Sequence, residues 1–143
     1  MLVKQISVFL ENKSGRLAEV TKILADSNID ISALSIADTT DFGILRLIVN
    51  DPETAEKALK DNGFTVSCCS VIAISVPDKP GGLAKALSVL ESEAIGIEYM
   101  YAFVGKAENE ALVILRLDNP EKAVDMLEGA GVKVLTSDTV CKL

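Results

Sequence analysis

The chain repeats itself. The segment Val8–Phe9–Leu10–Glu11–Asn12–Lys13–Ser14–Gly15–Arg16–Leu17–Ala18 returns 66 residues on, as Ile74–Ser75–Val76–Pro77–Asp78–Lys79–Pro80–Gly81–Gly82–Leu83–Ala84. Leu24, Ile29 and Ile31 recur as Leu90, Ile95 and Ile97 at the same offset. After a two-residue insertion, Asp51–Pro52–Glu53 recurs 68 residues on as Asn119–Pro120–Glu121, and Leu59, Gly63 and Val66 recur as Leu127, Gly131 and Val134. Two copies of one unit fill the 143 residues, which divides the chain into modules at 1–70 and 71–143. Either copy alone would be marginal, because a domain of that size buries too little of its surface. The copies are therefore expected to share a core or an interface.

Each copy reads strand, helix, strand, strand, helix, strand. Residues 3–10 carry Ile6, Val8 and Leu10 on one face at period two. Residues 15–27 carry Leu17, Val20 and Leu24 at helical spacing, with Ser14 the expected N-cap. Strands follow at 31–37 and 44–49, separated by a turn at 38–43 in which Asp38 and Asp41 read as turn residues. Asp51 is placed to cap a second helix with Pro52 at its first position, and Asn62–Gly63 stops it before a strand at 64–68. The second copy gives strands at 71–76, 97–104 and 111–117, helices at 81–93 and 120–129, and a last strand from Val132. Residues 139–143 read as a short extra strand. No linker separates the copies, so the fourth strand should run almost directly into the fifth.

This order predicts an α+β chain of two tandem ferredoxin-like βαββαβ units, with antiparallel sheets and both helices on one face. The far face is not polar. Ile44 and Ile48 back Leu45, Leu47 and Val49; Leu112 and Ile114 back Val113, Leu115 and Leu117. Strands apolar on both faces need cover on both, from the other copy or from a second chain, and a homodimer is expected on this ground.

The net charge of −7, with basic residues scattered, argues against nucleic acid and membrane partners. No run approaches the ~18 apolar residues of a membrane span. Residues 1–10 read as a strand and not as a leader. Cys68, Cys69 and Cys141 are odd in number and lack a metal-binding or redox spacing; reduced thiols and a cytoplasmic location are expected. Histidine is absent, which removes the commonest general base and metal ligand. No catalytic residue, metal or cofactor is expected.

The strand-to-helix loops carry the remaining chemistry. The ligand-binding candidates are Asn12, Lys13, Ser14, Gly15 and Arg16 in the first loop, and Asp78, Lys79, Gly81, Gly82 and Leu83 in the second. The first amides of a helix have no intrahelical acceptor and favour an anion such as a carboxylate. Asn12 or Asp78 could meet an ammonium. Together these groups describe a free amino acid, with Gly81 and Gly82 bringing the helix amides to its carboxylate. A bulky residue at Gly82 should then block the ligand and spare the fold. Caps and turn glycines explain the same residues without a ligand. Tyr99, Tyr101 and Phe103 share one face of a strand and serve either an interface or a pocket wall.

In these features the chain resembles the ACT domain family, in particular proteins made of two ACT domains in tandem. The resemblance rests on Asp78–Lys79–Pro80–Gly81–Gly82–Leu83 entering a helix, on Ile29–Asp30–Ile31 and Ile95–Gly96–Ile97 entering the second strands, and on the hairpin from Ala37 to Arg46. It implies a regulatory module that binds an amino acid between domains, with the first loop of one domain facing the second strand of its neighbour. That adds Tyr99 and Met100 to the candidates, with Ser32 and Ala33 in the first copy. Arg16 stands where the second copy has Gly82, and should crowd the first site. With no enzyme domain in the chain, output is expected to pass to a separate partner enzyme. The alternative is a structural or protein-interaction module with no ligand.

Overall fold

The computed structural model describes residues 2–11, 13–38, 42–103 and 108–141. Asn12, Asp41 and the side chain of Asp38, all named above, lie outside the described residues. The first repeat consists of β1 (Val3–Glu11), α1 (Arg16–Asp26), β2 (Ile31–Asp38), β3 (Phe42–Val49), α2 (Pro52–Asp61) and the first half of β4 (Thr65–Pro77). The second half of β4 opens the next repeat. It continues with α3 (Gly82–Glu91), β5 (Ile97–Ala102), β6 (Glu110–Leu117), α4 (Pro120–Gly129), β7 (Lys133–Val134) and α5 (Ser137–Cys141).

The caps explain the boundaries of α2 and α4. The Asp51 side chain accepts from the Thr54 amide and that of Asn119 from the Lys122 amide, each with proline at the start of the helix. Gly63 and Gly131 take the left-handed conformation just past these helices. Two expectations fail here. Gly15, not Ser14, is the N-cap of α1, and no side chain caps it. Residues 137–141 form a helix, not a strand. Thr136 accepts from the Thr139 amide at 3.2 Å through its hydroxyl, which makes it the cap of α5.

The strands run in the order β2-β3-β1-β4-β6-β5, with β7 also paired to β4. Every ladder is antiparallel. β4 joins the repeats without a break: residues 65–71 pair with β1, and 72–77 with β6. A single bridge from Ala33 to Phe103 brings the two outer strands together.

The described residues form three apolar cores. In the first repeat Ile6, Val8, Leu45 and Leu47 pack under Val20, Leu24, Ala55 and Leu59 of the two helices. In the second, Ile74, Val113 and Leu115 pack under Ala86, Leu90, Ala123 and Leu127. The third core lies between the repeats, where the helix-free faces meet: Val3, Ile48, Val71, Ala73 and Ile114, closed by Leu135 and Val140. Each fully buried Ile or Leu there contributes ~1.5–3 kcal/mol. The doubly apolar strands are thus covered within one chain, and they no longer call for a second one.

One polar cluster sits in that seam. Gln5 is fully buried. Its Nε2 donates to Tyr99 Oη at 2.6 Å and Tyr101 Oη donates to its Oε1 at 2.5 Å. Arg46 lies over the Tyr99 ring, 3.8 Å from its centre. Both amide ends of Gln5 are therefore satisfied across the repeats, as a buried polar group requires.

Candidate functional site

The two strand-to-helix loops share one backbone design. In each, the lysine amide turns back to the carbonyl two residues earlier: Lys13 to Glu11 at 2.7 Å, Lys79 to Pro77 at 2.9 Å. The amide of residue 16 or 82 then bonds the lysine carbonyl, at 3.4 Å in the first loop and 3.0 Å in the second. Gly15 and Gly81 follow the same left-handed path, at φ 87° and 86°, and their carbonyls accept the first helical bond. The Gly82 amide is therefore engaged inside its own loop.

Gly82 has a different reason to be glycine. It is buried, and a Cβ placed there would lie 2.0 Å from the Pro77 carbonyl oxygen. The helix approaches its own strand too closely for any side chain. This overturns the expectation that a bulky residue at Gly82 would spare the fold.

Charge gathers at the first loop. Lys13 Nζ lies 2.8 Å from Glu11, and Arg16 lies 3.7 Å from Glu11 and 3.2 Å from Glu19. The Lys13 hydrogen bond, with the charges of Lys13 and Arg16, holds the Glu11 carboxyl below the usual range. The Arg16 guanidinium lies back over the Phe64 ring, 5.4 Å from the centroid. A cavity of about 320 Å³ stays beside it, walled by Phe9, Phe42, Phe64 and Thr65. The cavity touching Gly82 is smaller, about 110 Å³, between Val76, Lys85 and Val132.

The remaining candidates do not join these loops within one chain. The Tyr99 hydroxyl is engaged by Gln5, and Tyr99 and Tyr101 stack with ring centres 6.4 Å apart. Burial, the largest cause in both, raises the hydroxyl pKa of Tyr99 and more strongly that of Tyr101. The three aromatics of β5 and its end serve the seam, where Tyr101 and Phe103 pack against the third core. Met100 points to the other face of β5, pairs with Leu115 and is exposed. Asp78, Lys79, Lys13 and Ser14 are exposed, Leu83 is half-buried, Ser32 and Ala33 are buried.

The sequence reading missed the phenylalanine wall. Phe9, Phe42 and Phe64 occupy positions where the second repeat has Ser75, Glu110 and Val132, and the repeat comparison could have flagged this difference. Among the described residues, no group of three or more metal-ligating side chains gathers, and no helix is long and apolar enough to cross a membrane.

Two βαββαβ repeats joined by one strand, with a glycine loop opening the first helix of each, define a pair of ferredoxin-like domains. The profile of the ACT domain pair matches residues 1–142, and the chain belongs to that family. It is similar to protein BT0572 from Bacteroides thetaiotaomicron, at 50% identity over 100% of this chain and 98% of that one, with a TM-score of 0.95. The fold is also similar to the regulatory subunit of aspartate kinase from Thermus thermophilus in its ligand-free form. That match has 19% identity over 90% of this chain and 93% of that one, with a TM-score of 0.68. The regulatory subunit of aspartate kinase from Thermus flavus matches at 19% identity over 90% and 92%, with a TM-score of 0.61. No protein of curated function matches the chain significantly.

Proposed function

We propose that this chain is a non-catalytic sensor that binds a free amino acid at its strand-to-helix loops, between copies of itself, and passes the signal to a separate enzyme. The repeats are taken as 1–70 and 71–143. The observation that carries this reading is where the apolar surface lies. Among the described residues, seven large hydrophobic side chains are exposed, and five of them are Leu17, Leu34, Ile36, Ile97 and Met100. Leu17 directly follows the first loop; Leu34 and Ile36 lie on the outer strand of the same repeat. Ile97 and Met100 lie on the corresponding outer strand of the other. Each repeat thus presents a loop with free helix amides beside an apolar strand edge, and a second copy would cover both. A ligand carboxylate would meet the amides that follow Gly82 or Arg16, and Asp78 or Asn12 would take the ammonium.

The regulatory subunits of aspartate kinase named above share this fold, and a role in regulation is extended to this chain on that likeness. A cytoplasmic site of action accords with three free thiols. The test is a thermal-shift screen of the twenty amino acids, followed by sedimentation equilibrium. A ligand at 100 times its dissociation constant should add ~2.7 kcal/mol of apparent stability. Ile36→Lys should lose that response and sediment near the chain mass of 15.2 kDa. No shift with any amino acid at millimolar concentration would leave the reading of a structural or protein-interaction module.

A further inference from the structure

Among the described residues, the two exposed hydrophobic side chains outside the loop-and-edge surface are Phe9 and Phe42, 49% and 52% exposed. They are not scattered. In the β1–β3 ladder Phe9 pairs with Ile44 and Glu11 with Phe42, so the two rings are diagonal neighbours on one face of the sheet. Both line the cavity of about 320 Å³ that Leu10, Glu11, Arg16, Gly63, Phe64 and Thr65 complete. Its walls come from β1, β3, the start of α1 and the turn from α2 into β4, and among the described residues none is from β2. It therefore lies apart from the outer strand discussed above and shares Glu11 and Arg16 with the first loop.

We infer that this cavity is a second, separate binding site, for a small aryl carboxylate. Its volume is at the lower end of the ~300–1,000 Å³ of small-molecule pockets. The half-exposed faces of Phe9 and Phe42 offer offset stacking to a flat ring, and covering them removes apolar surface from water. Arg16 supplies the anion contact. Its guanidinium carries five N–H donors. Among the described residues, Glu19 accepts from it at 3.2 Å, while Glu11 at 3.7 Å is an ion pair beyond hydrogen-bond reach. The Arg16 side chain is one-third exposed, so exchanging part of such a surface pair for a bidentate ligand carboxylate costs little. The acidic chain disfavours multiply charged anions, which selects a single carboxylate over a phosphate ester.

The second repeat acts as an internal control. At the matching positions it has Ser75 for Phe9, Gly82 for Arg16, Glu110 for Phe42, Val132 for Phe64 and Lys133 for Thr65. A cavity of about 400 Å³ persists at the matching place, lined by Ser75, Val76, Pro77, Glu110, Gly131 and Lys133, but ring wall and guanidinium are lost together. The site belongs to one repeat only, so the stoichiometry is one ligand per chain.

The probe is indole-3-acetate, because the chain has no tryptophan and indole emission reports the ligand alone. Wild type should bind it saturably at or below about 1 mM, one per chain, and bind 3-methylindole, which lacks the carboxylate, at least about tenfold more weakly. Arg16→Gln should bring the two probes level. Phe9→Ser, which installs the residue of the other repeat, and Phe42→Ala should weaken both, with far-UV circular dichroism unchanged. Ile36→Lys should leave indole-3-acetate binding intact, which separates this site from the one between copies. The inference is overturned by unsaturable binding, by equal affinity for the two probes in wild type, or by an unchanged affinity in Phe42→Ala.

Discussion

At the scale of single residues, the two glycines of the second loop have separate jobs. Gly81 needs the left-handed backbone, and a side chain there costs ~1–2 kcal/mol. Gly82 needs the absence of a Cβ, because that atom would sit 2.0 Å from a backbone oxygen that cannot swing away. The strand end or the helix start must move instead. Gly82→Ala should therefore destabilise the chain by about 1–3 kcal/mol, as overpacking does, and by more than Gly81→Ala. Urea denaturation of both variants measures this; equal midpoints would contradict the close approach. The glycines were legible in the sequence as a special loop, but their division of labour was not. Spacing reports that a turn is tight, not which atom crowds which. The place of the Arg16 side chain was hidden for a similar reason: spacing does not report that Phe64, 48 positions along the chain, offers it a ring to lie on.

At the scale of elements, α5 shows the limit of local pattern. Thr136, Asp138, Thr139 and Val140 include three β-branched residues, a composition that favours a strand. The structure uses the first threonine as a cap and puts Asp138 in the first turn, where it complements the helix dipole. Val140, fully buried, is the reason the short helix is held: it closes the third core beside Leu135. Thr136→Ala should cost about 0.5–2 kcal/mol through the lost cap. Val140→Ala should cost about 1–2 kcal/mol through two lost buried methyl groups. Thermal denaturation of the two variants checks the pair. If Val140→Ala is neutral, α5 is an ornament on the sheet and not part of its cover. The other helices were readable because their caps are strong and repeated: Asp51–Pro52 and Asn119–Pro120 state the same start twice. The long β4 was readable from the missing linker. What covers the far faces of β3 and β6 was not, since an apolar face reports only that a cover exists.

At the scale of the whole molecule, the repeats are bound by one strand, one shared core and the Gln5–Tyr99–Tyr101 cluster, and these make them one cooperative unit. Unfolding should show a single transition by every probe. The seam also sets a pH limit. Burial holds the hydroxyls of Tyr99 and Tyr101 protonated above the ordinary tyrosine range, whereas in the unfolded chain they ionise near ~10. Cys68, pushed up to about 11 by burial and by its hydrogen bond to Glu56, acts in the same direction. In each case the folded state binds more protons than the unfolded state at alkaline pH. The stability these groups contribute is complete below their unfolded values and drains away as pH rises above ~9–10. Urea midpoints should thus hold up to about pH 9 and fall steeply from there to about pH 11. Tyr101→Phe separates the two roles of that side chain. At pH 8 it should lower stability by ~1–3 kcal/mol, because Gln5 Oε1 loses its donor in a buried site. It should also flatten the alkaline decline, because one retained proton is gone. A Tyr101→Phe variant as stable as wild type at pH 8, or one with an undiminished alkaline slope, would show that the seam is held by its apolar core alone.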